Sequence, residues 1–308
     1  MIDIEGLVMD FGANRALDGI SFTVEAGDIF GFIGPNGAGK TTTMRILATL
    51  LHPTAGRARV GGHCVVNAPE KVRALTGTMP DTYGVYDGLS VWEYLDFFGA
   101  AHGLRLPGRN RAVSDVMALT DLGAFADRPV SALSRGMQQR LCVAKTLVHD
   151  PAVLILDEPA ANLDPRARIE FRALLKELKT LGKTILISSH ILTELSDVCT
   201  RIGIIEAGRM VATGTRAEIL ERIAGAPQVV VEVRDRAAEA ARLALELPFV
   251  REATAGGDRI RVDCEGPDPN VPALVRTLAE AGVPIQGVRM ESADLEHLFL
   301  EITKGQVQ

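Results

Sequence analysis

Eight residues constrain this chain more than any others: Gly34-Pro35-Asn36-Gly37-Ala38-Gly39-Lys40-Thr41. They fit the pattern G-x-x-x-x-G-K-[ST] at every fixed position. Glycines at this spacing let the backbone wrap an anion so that successive N–H groups point inward. A helix starting directly after the loop adds the positive end of its dipole. In such a loop Lys40 reaches the β- and γ-phosphates of a nucleotide, and the Thr41 hydroxyl is a candidate ligand for Mg2+. Thr42 continues the same turn and completes the candidate nucleotide-contacting set. The flanks agree. Asp28-Ile29-Phe30-Gly31-Phe32-Ile33 reads as a buried strand, and residues 39–50 read as a helix closed by His52-Pro53.

A second feature follows at Val153-Leu154-Ile155-Leu156, an apolar run of the kind found in parallel sheets, which ends in Asp157-Glu158-Pro159. Two carboxylates at a strand end, downstream of a phosphate loop, suit two tasks. Asp157 would hold Mg2+, directly or through water, and Glu158 would act as general base on the attacking water. Around these motifs the chain alternates. Residues 2–9 and 16–24 read as strands, 88–148 as mostly helical, 164–181 as a helix, and Thr184-Ile185-Leu186-Ile187 as another buried strand. This alternation predicts an α/β sheet with helices on its faces.

Near Gly225-Ala226-Pro227 the pattern changes. From there the order reads strand, helix, two strands, helix, strand, helix, with Val229–Arg234, Arg259–Cys264 and Ile285–Met290 as the clearest strands. That order resembles a small α+β ferredoxin-like sandwich. Two domains are expected, 1–225 and 226–308.

Leu133-Ser134-Arg135-Gly136-Met137-Gln138-Gln139-Arg140 lies just upstream of the acidic strand. It resembles the signature, usually written L-S-G-G-Q, of the ATP-binding cassette (ABC) transporter ATPases. Ser134 would cap the following helix and turn its N-terminus toward an anion. The resemblance spans residues 1 to about 225. It implies a P-loop NTPase cassette with a helical signature subdomain, which binds ATP and Mg2+ and hydrolyses the ATP.

It also implies roles for single residues. Phe11 stands where the family places an aromatic under the adenine. Asp164, in Asn162-Leu163-Asp164-Pro165, matches the loop that passes between two ATPases. His190, after Ser188-Ser189, matches the histidine that contacts the γ-phosphate. The family works as a dimer, so Ser134, Arg135, Gly136, Met137 and Gln138 would face the ATP on the other subunit. The dimer would be a homodimer or a heterodimer, lying on the cytoplasmic face of the cell membrane through an integral-membrane permease. The C-terminal part resembles the accessory domain of exporter-type ATPases, with a closing helix at Asp294-Leu295-Glu296-His297-Leu298-Phe299-Leu300.

Two departures from the pattern stand out. The signature carries Arg135 where glycine is usual. No glutamine precedes Gln138, and Asp81, in Met79-Pro80-Asp81, occupies the place of the family's glutamine. A carboxylate there is a hard ligand, so Asp81 is a candidate for Mg2+, through water because it is short. All three tyrosines and the only tryptophan fall at Tyr83, Tyr86, Trp92 and Tyr94, followed by Phe97 and Phe98. In the family this stretch lines the groove that accepts a helix of the membrane subunit. The spacing of Trp92, Leu95 and Phe98 or Gly99 also suits a buried stripe, so the cluster is expected to divide between core and interface.

Composition narrows the alternatives. A net charge of -6 argues against nucleic acid as a partner. Cys64, Cys142, Cys199 and Cys264 are scattered, which suggests neither a zinc site nor a disulfide framework and fits a reducing cytosol. No run of 18 apolar residues occurs, so a membrane role goes through a partner. The rival is a soluble, non-transport ABC ATPase. The interval between phosphate loop and signature is too short for the long coiled coil of the DNA-repair members.

Overall fold

The computed structural model describes residues 1–82, 84, 86, 88–161, 163–191, 195, 197–215, 217–219, 228–264 and 269–291. The expected boundary at 225, Tyr83, Asn162 and the closing segment at 294–300 lie outside the described residues. The chain divides into two compact units, Met1–Arg216 and Ala217–Ile302.

The first unit is built on two sheets. β1 (Ile2–Phe11) and β2 (Asn14–Val24) form an antiparallel hairpin, extended by β4 (Ala55–Val60) and β5 (His63–Cys64) in the order β2-β1-β4-β5. The larger sheet contains β3 (Ile29–Ile33), β6 (Thr76–Met79), β7 (Val153–Leu156), β8 (Thr184–Ser189), β9 (Arg201–Glu206) and β10 (Arg209–Gly214). Its order is β10-β9-β3-β8-β7-β6, parallel throughout except for β10 on β9.

Every residue of β3, β7 and β8 is buried, as expected of parallel strands covered on both faces. Alternate residues therefore serve two cores. Phe30, Phe32, Val153, Ile155 and Leu186 meet the antiparallel sheet and α1 (Lys40–Leu47), with Phe22 stacked on Phe30 at 5.1 Å. Leu154, Leu156, Ile185 and Ile187 meet the helical layer. That layer contains α3 (Val91–Ala101), α4 (Gly108–Leu119), α5 (Arg135–Leu147) and α6 (Pro165–Thr180), while α2 (Pro69–Leu75) precedes β6.

The start of α3 is fixed by a capping box. Ser90 Oγ accepts from the Glu93 N–H at 3.3 Å, and Glu93 Oε2 accepts from the Ser90 N–H at 2.8 Å. The helix buries Val91, Tyr94, Leu95 and Gly99, while Trp92 and Phe98 pack half-buried against the core. Leu95 and Gly99 of the expected stripe are thus buried, Trp92 and Phe98 flank it, and Tyr94 joins the buried face, where α3 packs against α4 and α5.

The second unit runs β11 (Gln228–Val233), α7 (Ala237–Leu245), β12 (Val250–Gly256), β13 (Arg259–Cys264), α8 (Val271–Glu280) and β14 (Ile285–Glu291). Its four strands form one antiparallel sheet, ordered β12-β13-β11-β14. Val229, Val231, Val233, Ile260 and Val262 pack with Leu274 and Leu278 of α8. No helix among the described residues is long and apolar enough to cross a membrane.

Candidate active site

The parallel register gathers the motifs at one edge of the large sheet. β7 and β8 pair as Leu156↔Ile187, so Asp157 leaves the end of β7 level with Ser188, which is still inside β8. β6 and β7 pair as Met79↔Leu156, and the Asp157 N–H donates to the Met79 carbonyl at 2.9 Å, which brings Asp81 to the same end. β3 and β8 pair as Ile33↔Ser189, and the Gly34 N–H donates to the Ser189 carbonyl at 3.3 Å. Ligands of open parallel sheets bind outside these carboxyl ends.

The loop at Gly34–Lys40 needs its glycines for two distinct reasons. A Cβ on Gly34 would lie 2.2 Å from the Ile205 carbonyl oxygen. Gly39 has φ 106° and caps the N-terminus of α1, and a Cβ there would lie 2.8 Å from the Ala16 oxygen. Ala16 belongs to β2, so the hairpin that carries Phe11 packs directly on the loop. Phe11 is 47% exposed, an unusual state for a phenylalanine in a strand.

Lys40 is 6% exposed. Its Nζ donates to the Gly34 carbonyl at 2.7 Å and the Pro35 carbonyl at 3.1 Å, and lies 3.3 Å from Glu158 Oε1. Burial holds the Lys40 ammonium below its ordinary pKa, against the opposing pull of Glu158 and Asp157.

Asp157 is also buried. Its Oδ1 accepts from Ser188 Oγ at 2.6 Å, and it accepts a further hydrogen bond from Thr41. Burial raises its carboxyl above the usual range; the bonds from Ser188 and Thr41 oppose that rise, while the charges of Asp81 and Glu158 add to it. Glu158 has φ +47°, a left-handed conformation that costs a non-glycine residue on the order of 1 kcal/mol. Its Oε2 meets His190 Nδ1 at 2.8 Å, while Oε1 is buried with no hydrogen-bond partner beyond the ion-pair contact to Lys40.

The set fits a magnesium–nucleotide pair. A buried carboxylate carrying a threonine hydroxyl, with two more acids close by, is short of positive charge, and a hard dication supplies it. Among the described residues no group of three or more His, Cys, Asp or Glu could hold a metal alone. Mg2+ suits that shortage, since it is ordinarily held by one or two carboxylates together with substrate phosphates.

Asp81 is exposed, and its Oδ1 accepts from the Thr82 N–H at 2.8 Å. Ser134 caps α5, its Oγ accepting from the Met137 N–H at 3.4 Å. Ser134 and Arg135 are exposed, whereas Gly136, Met137 and Gln138 are half-buried, with Gln138 Nε2 donating to the Val130 carbonyl at 3.5 Å. Asp164 caps α6 by accepting from the Ala167 N–H at 2.9 Å.

Ser188 had no role in the motif reading. Its signal was the count of residues from the start of each buried strand, which puts it level with Asp157.

Comparison with known proteins agrees with this geometry. Residues 17–161 match the family model described as ABC transporter. The chain is 34% identical over 303 residues to a Nod factor export ATP-binding protein I of Ralstonia nicotianae, covering 98% of this chain and 94% of that one. It is 34% identical over 304 residues to the daunorubicin resistance ATP-binding protein DrrA3 of Streptomyces coeruleorubidus, covering 98% and 95%. A solved ATP-binding subunit of an ABC transporter superposes with a TM-score of 0.66 at 28% identity, over 72% of this chain and 92% of the other.

Proposed function

The chain belongs to the ATP-binding subunits of ABC transporters, and we propose that two such subunits close around ATP and power export through a separate membrane permease. One observation carries the reading: Lys40, Glu158 and His190 are in contact, and Asp157 is joined to Glu158 through Ser188, at the carboxyl ends of β3, β7 and β8. Glu158 Oε1 lies beside Lys40 and has no hydrogen-bond partner. That oxygen is the acceptor this reading gives to the proton of the attacking water.

In this reading the loop N–H groups and Lys40 bind the phosphates, and Phe11 stacks on the base. Thr41 and Asp157, with Asp81 through water, would hold Mg2+, which when bound would neutralise the phosphate charge. Glu158 takes the proton of the attacking water, and His190 fixes the Glu158 carboxylate from its other oxygen. Ser134, at an exposed helix N-terminus, is the group offered to a second subunit's nucleotide. ATP would then favour the closed dimer by contacts made only there, and hydrolysis would release it.

Subunits of this family work with membrane permeases. The docking face proposed here is the groove by α3 and α5. Tyr86 and Phe97 stand about half exposed there, and a cavity of about 260 Å3 is lined by Arg73, Phe98, His102, Lys145 and His149. We read the second unit's order, β14-β11-β13-β12 with α7 and α8 as crossovers, as ferredoxin-like, and assign residues 226–308 to an accessory domain. The two relatives are equally similar to this chain, yet one is named for Nod factor and the other for daunorubicin. The cargo is therefore assigned to the permease.

Composite sites give the test. Lys40→Ala and Ser134→Arg chains are each expected to be inactive, while their mixture regains MgATP hydrolysis, because one of the heterodimer's two sites is intact. Mixtures that form heterodimers yet never exceed either variant alone would overturn the dimeric reading.

A further inference from the structure

Ser188 is the fifth residue of β8, 1% exposed, and its single hydroxyl touches both acids of the site. Its Oγ donates to Asp157 Oδ1 at 2.6 Å and accepts from the Glu158 backbone N–H at 2.8 Å. A serine hydroxyl has one proton and two lone pairs, so these two bonds use the proton and one of the pairs. The direction is forced. The Asp157 carboxylate can only accept and the Glu158 N–H can only donate.

Each bond fixes something different. The first sets the rotamer of the Asp157 carboxylate, which would otherwise answer only to Thr41 and the charges around it. The second satisfies the N–H of the one residue of the cluster held at positive φ. An N–H left without a partner here would add its own cost to that of the left-handed conformation, so this bond helps to hold the backbone conformation of Glu158. The parallel register makes the arrangement rigid, since Asp157 and Ser188 extend the Leu156↔Ile187 pair and cannot slide past one another.

We propose that Ser188 is a positioning residue of the hydrolytic site, coupling the orientation of the metal-holding carboxylate of Asp157 to the backbone conformation that aims Glu158. This rests on the ATPase reading above. It adds to the site a residue outside the sequence motifs, and its two bonds have separate consequences. The bond to Asp157 governs how readily the site takes Mg2+. The bond to Glu158 governs turnover once MgATP is bound. Neither bond is made by the loop N–H groups or by Lys40, whose contacts to the Gly34 and Pro35 carbonyls remain, so metal-free nucleotide binding changes far less than turnover.

The experiment compares the wild-type chain with Ser188→Ala, Ser188→Thr and Ser188→Val, each checked for a cooperative thermal transition. Threonine and valine match in size and differ in the hydroxyl, so their comparison cancels any effect of crowding. ATP affinity is measured by titration calorimetry in EDTA and across a Mg2+ series, and kcat and KM by phosphate release. Ser188→Ala and Ser188→Val are expected to lose roughly ten- to a hundredfold in kcat with KM within a few-fold of wild type, the size of effect that a small misplacement produces. Their affinity in EDTA stays within a few-fold of wild type, and the Mg2+ needed for half of the affinity gain rises several-fold. Ser188→Thr restores most of both.

Wild-type kcat and Mg2+ dependence in folded Ser188→Ala would overturn the proposal, and so would equal losses in Ser188→Thr and Ser188→Val. Failure of the underlying ATPase reading looks different: the wild-type chain itself would show no Mg2+-dependent gain in ATP affinity and no turnover.

Discussion

A lysine as buried as Lys40 needs an anion, and in this fold it has Glu158 at 3.3 Å together with two loop carbonyls. These contacts hold the ammonium where the β- and γ-phosphates are expected. Charge-assisted bonds of this kind contribute on the order of 1.5–3 kcal/mol. Lys40→Ala is therefore expected to weaken ATP affinity roughly ten- to a hundredfold by titration calorimetry. Unchanged affinity would mean that the loop does not bind phosphate through this side chain. A second residue-scale expectation concerns acid stability. His149 stacks on His102 with ring centroids 3.7 Å apart, and burial, helped by His102, pushes its pKa down to about 4. An unfolded histidine titrates near about 6.5, so between those values the unfolded chain binds more protons than the folded one. The stability owed to the neutral ring is present above that unfolded value and is lost as pH falls toward 4. His149→Gln should accordingly narrow the difference in thermal midpoint between pH 7 and pH 5. An equal difference in both chains would place the acid sensitivity elsewhere.

At the scale of elements, β7 and β8 were legible in the sequence because runs such as Val153–Leu156 are apolar on both faces, and only a covered parallel strand uses such a run. The acids at their ends were legible for the same reason, since a strand end is where a sheet can show charge. What pattern alone did not reveal came from pairing and from neighbours. Ser188 acquires its contacts only once β7 and β8 are set in register. The full burial of Tyr94 beside the expected stripe of α3 depends on packing against other helices. The exposure of Phe11 and the left-handed turn at Glu158 likewise depend on contacts that no local pattern encodes. The placing of α3 itself rests on its capping box. Removing the Ser90 hydroxyl leaves the Glu93 N–H without its side-chain acceptor, at a cost of about 1 kcal/mol. Ser90→Ala should lower the thermal midpoint by a few degrees and leave ATP affinity in place. A midpoint equal to that of wild type would show that packing under Tyr94 alone fixes the helix.

For the whole molecule the central claim is that binding and hydrolysis of ATP are separable, and that hydrolysis resides in Glu158. Its carboxylate lies between Lys40 and His190, with Oε1 free of hydrogen bonds. An amide in its place keeps the shape and cannot accept the water's proton. The decisive measurement is made on one purified Glu158→Gln chain: ATP affinity by calorimetry, MgATP turnover by phosphate release, and mass with ATP by size exclusion. The expected result is affinity close to wild type, turnover reduced at least a hundredfold, in line with removal of a general base, and accumulation of a dimer that wild type forms only transiently. Turnover at the wild-type rate, with ATP bound as before, would contradict the assignment of the base and with it the account of how this fold spends a nucleotide.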